Sequence, residues 1–293
     1  MIHPWVTAAR IKKINSDNTS DADDLLASEE PLEIRIGFGP LNDRHQKSIS
    51  VTMRTPGKDF ELALGFLFTE GIIQNQHDVF QNKYWTELCS LENIENNVLV
   101  ELNPDAIVDL KKLERHFYTS SSCGVCGKAS IDAITTTHEF SASGYGFTVD
   151  RKVWMSLPEK LRAKQNVFKY TGGLHAAALF DIEGNLVLIR EDVGRHNALD
   201  KLIGASFSSG TLPLAHHILL LSGRASFELI QKAVMSGIQA VAAIGAPSSL
   251  AVETAKKFNV TLLGFLRNDR FNIYSGEHRI NSDSEKSFSL DKM

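Results

Sequence analysis

From about residue 147 to residue 266 the sequence alternates short apolar runs with stretches long enough for a helix, and few folds accept that alternation. Apolar runs bounded by turn residues read as buried strands, and the amphipathic stretches between them read as crossover helices. Residues 174–180 and 186–190 flank Asp181-Ile182-Glu183-Gly184-Asn185, which predicts an antiparallel hairpin. A helix over 195–203, a strand over 217–221, a helix over 226–235, a strand over 240–244, a helix over 248–258 and a strand over 260–266 follow. Parallel strands joined by crossover helices on both sheet faces predict an α/β three-layer sandwich.

A smaller α+β unit is expected ahead of it. Residues 32–38 and 48–53 read as strands, with Gly39-Pro40-Leu41-Asn42-Asp43 supplying the turn, and 98–102 as a further strand. Pro56-Gly57-Lys58-Asp59 introduces a helix over 60–68, with Asp59 expected to cap its free amides and Gly71 to end it. Apolar residues cover most of its faces, which predicts burial between other elements. Residues 15–31, rich in Asn, Ser, Asp and Glu, are expected to be a mobile lead-in. The resulting division is a mobile segment 1–30, a small α+β domain 31–118, an α/β domain 119–280 with a cysteine loop 119–128 at the junction, and a tail 281–293.

The 293 residues are 43% hydrophobic and 23% charged, the profile of a globular protein with a substantial core. A net charge of -4 gives no basic field for bulk nucleic-acid or membrane-surface binding. No run approaches the ~18 apolar residues of a membrane helix. Residues 1–14 contain Pro4, Arg10, Lys12 and Lys13 without a continuous apolar stretch, so no secretion signal is expected. Three cysteines with no disulfide framework suit a reducing cytoplasm.

Two of those cysteines, Cys123 and Cys126, sit in Ser-Ser-Ser-Cys-Gly-Val-Cys-Gly-Lys, a stretch with no apolar face to bury. Cys-x-x-Cys serves zinc binding, a thiol-disulfide pair, or a nucleophilic sulfur carrier. Structural zinc needs four ligands, and the only other cysteine is Cys89, in Trp85-Thr86-Glu87-Leu88-Cys89-Ser90, which reads as structural. A redox pair sits at a helix start directly after a strand, whereas serines and glycines loosen both sides here. Lys128 and a short helix opening near Ala129 would favour a thiolate, so a carrier on a flexible arm is the preferred reading, with the other two left open.

Further chemistry-bearing residues cluster at expected strand ends, where open α/β sheets bind ligands. His175 begins a strand after Gly172-Gly173, and a lone strand histidine is more often a satisfied core residue than a functional one. Zinc nucleobase deaminases place a glutamate two residues after such a histidine; Ala177 stands there, and the cysteine pair lies upstream, so that chemistry is disfavoured. In Arg190-Glu191-Asp192-Val193-Gly194-Arg195-His196, Asp192 and His196 suit proton transfer or ligand hydrogen bonding, or merely a helix cap and a solvated charge cluster. Ser222-Gly223-Arg224-Ala225-Ser226 offers Arg224 and helix-start amides to a phosphate. Phe265-Leu266-Arg267-Asn268-Asp269-Arg270 offers an aromatic ring and two guanidinium forks, or is a solvated strand end.

Segments 61–73, 121–127, 171–175, 191–201, 222–228 and 265–270, in this order, resemble the FdhD/NarQ family over residues 31–274. The resemblance implies a cytidine-deaminase-like α/β domain without the deaminase zinc, a smaller N-terminal domain, and a homodimer. It implies a sulfurtransferase required for formate dehydrogenase activity. A cysteine desulfurase would load sulfur onto a loop cysteine as a persulfide, which passes to the molybdenum bis(molybdopterin guanine dinucleotide) cofactor, bound as a substrate. Position by position, Cys123 matches the persulfide cysteine and Cys126 its companion. Phe265, Leu266, Arg267, Asn268, Asp269 and Arg270 match the segment for the guanine part of the cofactor, and Arg224 is expected to assist them. No resident metal is implied. The rivals are a noncatalytic protein that only shelters the cofactor, and a zinc-dependent hydrolase or deaminase.

Overall fold

The computed structural model describes residues 5–85, 95–106 and 146–281. It opens with an antiparallel hairpin of β1 (Val6–Ile14) and β2 (Thr19–Ala27). This corrects the mobile lead-in expected over 15–31. Polarity argued for a solvated chain, but the polar groups are used locally. Asn15 accepts the amides of Asp17 and Asn18 to close the turn, and Arg10 and Lys12 lie opposite Asp23 and Asp21.

A four-stranded sheet follows, built from β3 (Glu30–Phe38), β4 (His45–Arg54), β5 (Val79–Tyr84) and β6 (Asn97–Leu102) in the order β4-β3-β6-β5. β3 runs parallel to β6, and the other pairs are antiparallel. Period-two alternation puts Leu32, Ile34 and Ile36 on the buried face. That face meets α1 (Asp59–Thr69). Asp59 does not cap this helix as expected: the N-cap position is Lys58, and Asp59 grips the buried Arg54 at 3.1 and 3.2 Å. An unpaired buried guanidinium costs more than an uncapped amide, which decides where the carboxylate goes. The far end closes at Gly71, whose amide donates to Phe68.

The larger sheet has the spatial order β13 (Asn272–Ser275), β12 (Thr261–Gly264), β11 (Ala240–Ala243), β10 (Ile218–Leu221), β8 (His175–Phe180), β9 (Leu186–Asp192). β7 (Val149–Asp150) leads into α2 (Arg151–Lys164) and the short α3 (Phe168–Thr171), and then β8 (His175–Phe180) and β9 (Leu186–Asp192) form the expected hairpin. α4 (Arg195–Ser208), β10 (Ile218–Leu221), α5 (Phe227–Met235), β11 (Ala240–Ala243), α6 (Ser249–Lys257), β12 (Thr261–Gly264) and β13 (Asn272–Ser275) follow, and β14 (Ile280–Asn281) returns to pair with β7. β10, β11 and β12 are parallel; β8 is antiparallel to β10.

Helices cover both faces, though not as expected. α5 and α6 pack on one another and share a face with α4, against Leu219, Leu221, Val241 and Ala243. Successive right-handed crossovers that step in one direction along a sheet leave their helices on the same side. The opposite face, with Ile218, Leu220, Ala240 and Ala242, is covered by Trp154, Leu157 and Leu161 of α2. No helix was read there, because Pro158 lies inside it; Asp150 caps it, accepting from the Lys152 amide at 2.7 Å.

The two sheets share one core, because α1 packs directly on α4. Gly65 faces the Asp200 carbonyl and Gly204 the Glu61 carbonyl so closely that a Cβ at either position would collide with backbone. Two glycines thus let the helix axes approach, and α1 is sandwiched between the small sheet and α4.

Candidate functional site

The carboxyl ends of β10, β11 and β12 and the amino end of antiparallel β8 meet at one rim of the larger sheet. A cleft of about 870 Å³ opens there, within the size range of small-molecule sites. Strand ends contribute His175, Ser222, Ile244, Leu266, Arg267 and Asn268. α2 and the turn beyond it contribute Glu159, Arg162, Gln165 and Phe168. Among the described residues the lining therefore combines apolar side chains, an aromatic ring, two guanidinium groups and one carboxylate. Glu191 holds the α3 side in place by accepting the amides of Val167 and Phe168 at 3.3 and 3.2 Å. Burial outweighs those bonds and raises its carboxyl above the usual range.

The residues expected to bind a cofactor separate into two groups. Leu266, Arg267 and Asn268 line the cleft, and Arg267 is anchored through Nη1 to the carbonyls of Ile244 and Leu266, both at 2.7 Å. Phe265, Asp269, Arg270 and Arg224 are exposed and do not line it. Phe265 has a φ of 53°, left-handed backbone that is rare for an aromatic residue, and the residue is 41% exposed. Its amide is tied to the Gly245 carbonyl at 3.1 Å, so the strand-end pairing holds the strain in place.

The start of α5, read as a phosphate seat, already carries an anion. The Ser226 side chain makes no cap bond, and Glu228 stands in the first turn. Burial works to raise its carboxyl, but its own amide, the Ser226 hydroxyl, His196 and Arg195 outweigh burial and hold it below the usual range. His196 Nε2 lies 3.2 Å from Ser226 Oγ. Burial, then the charges of Arg195 and Lys232, lowers the His196 pKa to about 4, which leaves a neutral imidazole at neutral pH.

Asp192 is neither an exposed acid nor a helix cap. It is fully buried, lies 2.7 Å from Lys201 Nζ, and accepts from the amides of Thr55 and Gly194 and from Asn197 Nδ2. Lys201 also donates to the Thr55 carbonyl at 2.8 Å. A second knot joins Lys232 to Asp200 at 2.9 Å and to Thr69 Oγ1 at 2.8 Å. Burial works against the Lys232 ammonium, but Asp200 and Glu70 outweigh it and raise its pKa. Arg190 pairs with Glu61 through Nε and Nη2. The contacts to Thr55, Thr69 and Glu61 connect the β4–α1 region to the larger sheet and its helices, and the Asp192–Lys201 and Asp200–Lys232 pairs hold their anchoring groups in place. The ionisable run 190–201 thus serves mainly to join the two sheets.

Cys123, Cys126, Cys89 and Lys128 lie outside the described residues. Among the described residues no group of three His, Cys, Asp or Glu side chains is placed to hold a metal ion. The residues missed in the sequence, Glu159, Arg162, Gln165 and Phe168, belong to the unread helix α2 and its sequel. Asp150 followed by apolar residues at 154, 157 and 161 was the available signal.

The family model described as "FdhD/NarQ family" matches residues 27–281. A relative from Streptomyces avermitilis, named sulfur carrier protein FdhD, is 50% identical over 92% of this chain and 94% of its own. A relative of the same name from Saccharolobus solfataricus is 40% identical over 92% of this chain and 98% of its own. A solved structure from Desulfotalea psychrophila, titled as a proposed formate dehydrogenase accessory protein, shares the fold with a TM-score of 0.68 at 21% identity, over 95% of this chain and 100% of that one. No helix among the described residues is long and apolar enough to cross a membrane. With the family model covering both sheets and the cleft between strand ends and α2, the chain belongs to the FdhD/NarQ family.

Proposed function

We propose that this protein is a sulfurtransferase that supports a formate dehydrogenase. It accepts sulfur from a cysteine desulfurase as a persulfide on Cys123, with Cys126 as companion, and transfers it to the molybdenum bis(molybdopterin guanine dinucleotide) cofactor bound as substrate. Sulfur moves between thiols by exchange: the donor S–S bond breaks as a new one forms at Cys123, so loading needs no external oxidant. The relatives' name, sulfur carrier protein, supports the first half of this reading. The observation that carries the second half is the strand-end cleft, where Arg267 and Arg162 offer forks to phosphate oxygens and Phe168 an aromatic face, with Phe265 exposed beside it.

Leu266, Arg267 and Asn268 would contact the guanine dinucleotide from inside the cleft. Phe265, Asp269, Arg270 and Arg224 would meet the parts that project from it. We also propose a cytidine-deaminase-like α/β domain, a homodimer and a cytoplasmic location; the order β9-β8-β10-β11-β12, with β8 antiparallel, supports the first. A noncatalytic sheltering role is the alternative, favoured by a cleft of a size to hold a nucleotide-bearing ligand without any thiol chemistry.

Incubation with a cysteine desulfurase and cysteine, followed by intact-mass and peptide analysis, is expected to add sulfur at Cys123. An unmodified wild-type chain counts against the carrier. A Cys123→Ala variant that still activates the client enzyme would establish sheltering instead.

A further inference from the structure

We propose that His175 is a ligand contact of the strand-end cleft and takes up a proton when a phosphate-bearing nucleotide enters. The inference rests on the nucleotide reading above and adds to it a residue and a charge change. Of the histidines among the described residues, His175 alone lines the cleft. The first position of β8 fixes its backbone, paired in register with Asp192 of β9. Its ring lies beside Gly223 in the turn after β10, where a Cβ would come within 3.1 Å of both Cε1 and Nδ1. The absence of a side chain at Gly223 is therefore what admits the ring to this place. Next to it, Ser222 Oγ is occupied in accepting the Ala176 amide at 2.8 Å. Among the described residues the His175 ring has no hydrogen-bond partner, in contrast to His196, which is held by Ser226.

A half-buried imidazole without a partner among the described residues, in a cleft that also presents guanidinium groups, is a group kept open for something that arrives. The charges around it say what. Arg195 and His196 face it from α4 and the buried Asp192 from β9. Arg267 at the end of β12 and Arg162 and Glu159 on α2 share the cleft lining, and Arg224 lies in the same turn as Gly223. Among the described residues, Glu191 is engaged with the Val167 and Phe168 amides, Glu228 faces His196 and Arg195, and Asp192 is paired with Lys201, which leaves Arg267 and Arg162 as the cations of the lining beside Glu159. Burial and then Arg195 lower the His175 pKa, with Asp192 opposing them in part, which favours a neutral imidazole before a ligand binds. An entering phosphate reverses the sign of the nearest charge and favours the imidazolium, which becomes a charge-assisted donor. By linkage, a ligand that raises a pKa binds with proton uptake and binds more weakly as pH rises through that pKa.

The test uses the full chain and diguanosine 5′,5′-diphosphate, whose phosphates are all esterified and do not titrate near neutral pH. Calorimetric titration in two buffers of different ionisation heat reads proton uptake directly. Wild type is expected to take up protons between pH 6 and 8 and to lose about tenfold in affinity across that range, one pKa unit being a factor of ten. His175→Gln is expected to bind without uptake and with a flat pH profile, and to match wild type within about twofold at pH 8, where both side chains are neutral. Binding by wild type without proton uptake, or uptake that persists in His175→Gln, overturns the assignment and leaves the nucleotide reading intact. No binding by wild type at any pH removes the nucleotide reading itself, and this inference with it.

Discussion

At the joint between the two sheets, Asp192, Lys201, Asp200 and Lys232 are buried and each has an oppositely charged partner within 3 Å. At the strand-end cleft, Arg162 and Glu159 are exposed and have no ion-pair partner among the described residues, and His175 has no hydrogen bond. Both regions draw on the same residue types. A charge withdrawn from water must be matched within the fold, whereas a charge facing a cleft can wait for a ligand because water meets its needs meanwhile. The contrast teaches that density of ionisable residues in a motif does not indicate chemistry; what matters is whether their partners lie inside the chain.

The largest effect is expected at the joint. Asp200→Ala leaves the buried Lys232 ammonium with only Glu70, at 3.6 Å, as a counter-charge and should cost about 3 kcal/mol of unfolding free energy by urea titration. A loss below about 1 kcal/mol would mean that the pair is no lock, and the comparison breaks. An intermediate effect is expected at His196, between the two regions. Its folded pKa of about 4 lies below the 6.5 of the unfolded chain, so the unfolded state binds more protons in that window. Stability should therefore fall as pH drops from 6.5 toward 4. The ring is 37% exposed, so screening reduces the expected loss to about 1 kcal/mol. His196→Asn should flatten that acid limb; urea midpoints at pH 7 and pH 5 decide it. The smallest effect on folding belongs to the cleft. Arg162→Ala should change stability by no more than about 0.5 kcal/mol while weakening guanine nucleotide binding about tenfold, measured by calorimetry. A stability loss equal to that of Asp200→Ala would erase the distinction between joint and cleft.

The strands and helices from β8 to β12 were legible because buried parallel strands carry continuous apolar runs and their turns carry glycines. β3, β4 and α1 were legible for a similar reason. The hairpin of β1 and β2 was not, since its strands bury little and their exposed polar side chains read as solvated chain in composition. α2 was missed because Pro158 usually ends a helix; here packing of Trp154, Leu157 and Leu161 against the sheet outweighs the lost amide. That omission removed half the cleft from view. Arg267 lines the strand-end cleft, whereas Asp192 looked like a proton-transfer or ligand-binding group and is a buried tie to Thr55.

What the sequence determined by itself was the family, the alternating strand and helix pattern, and the strand ends that border the cleft, because each of these is written in local periodicity and motif order. What only the tertiary structure decided was which charges face each other. Lys201 and Thr55, or Gly65 and Gly204, are far apart along the chain, and their meeting depends on how α1 crosses α4. Partnership between distant residues is a property of packing geometry, and it is this partnership that separates a charge that holds the fold together from one left open to a ligand.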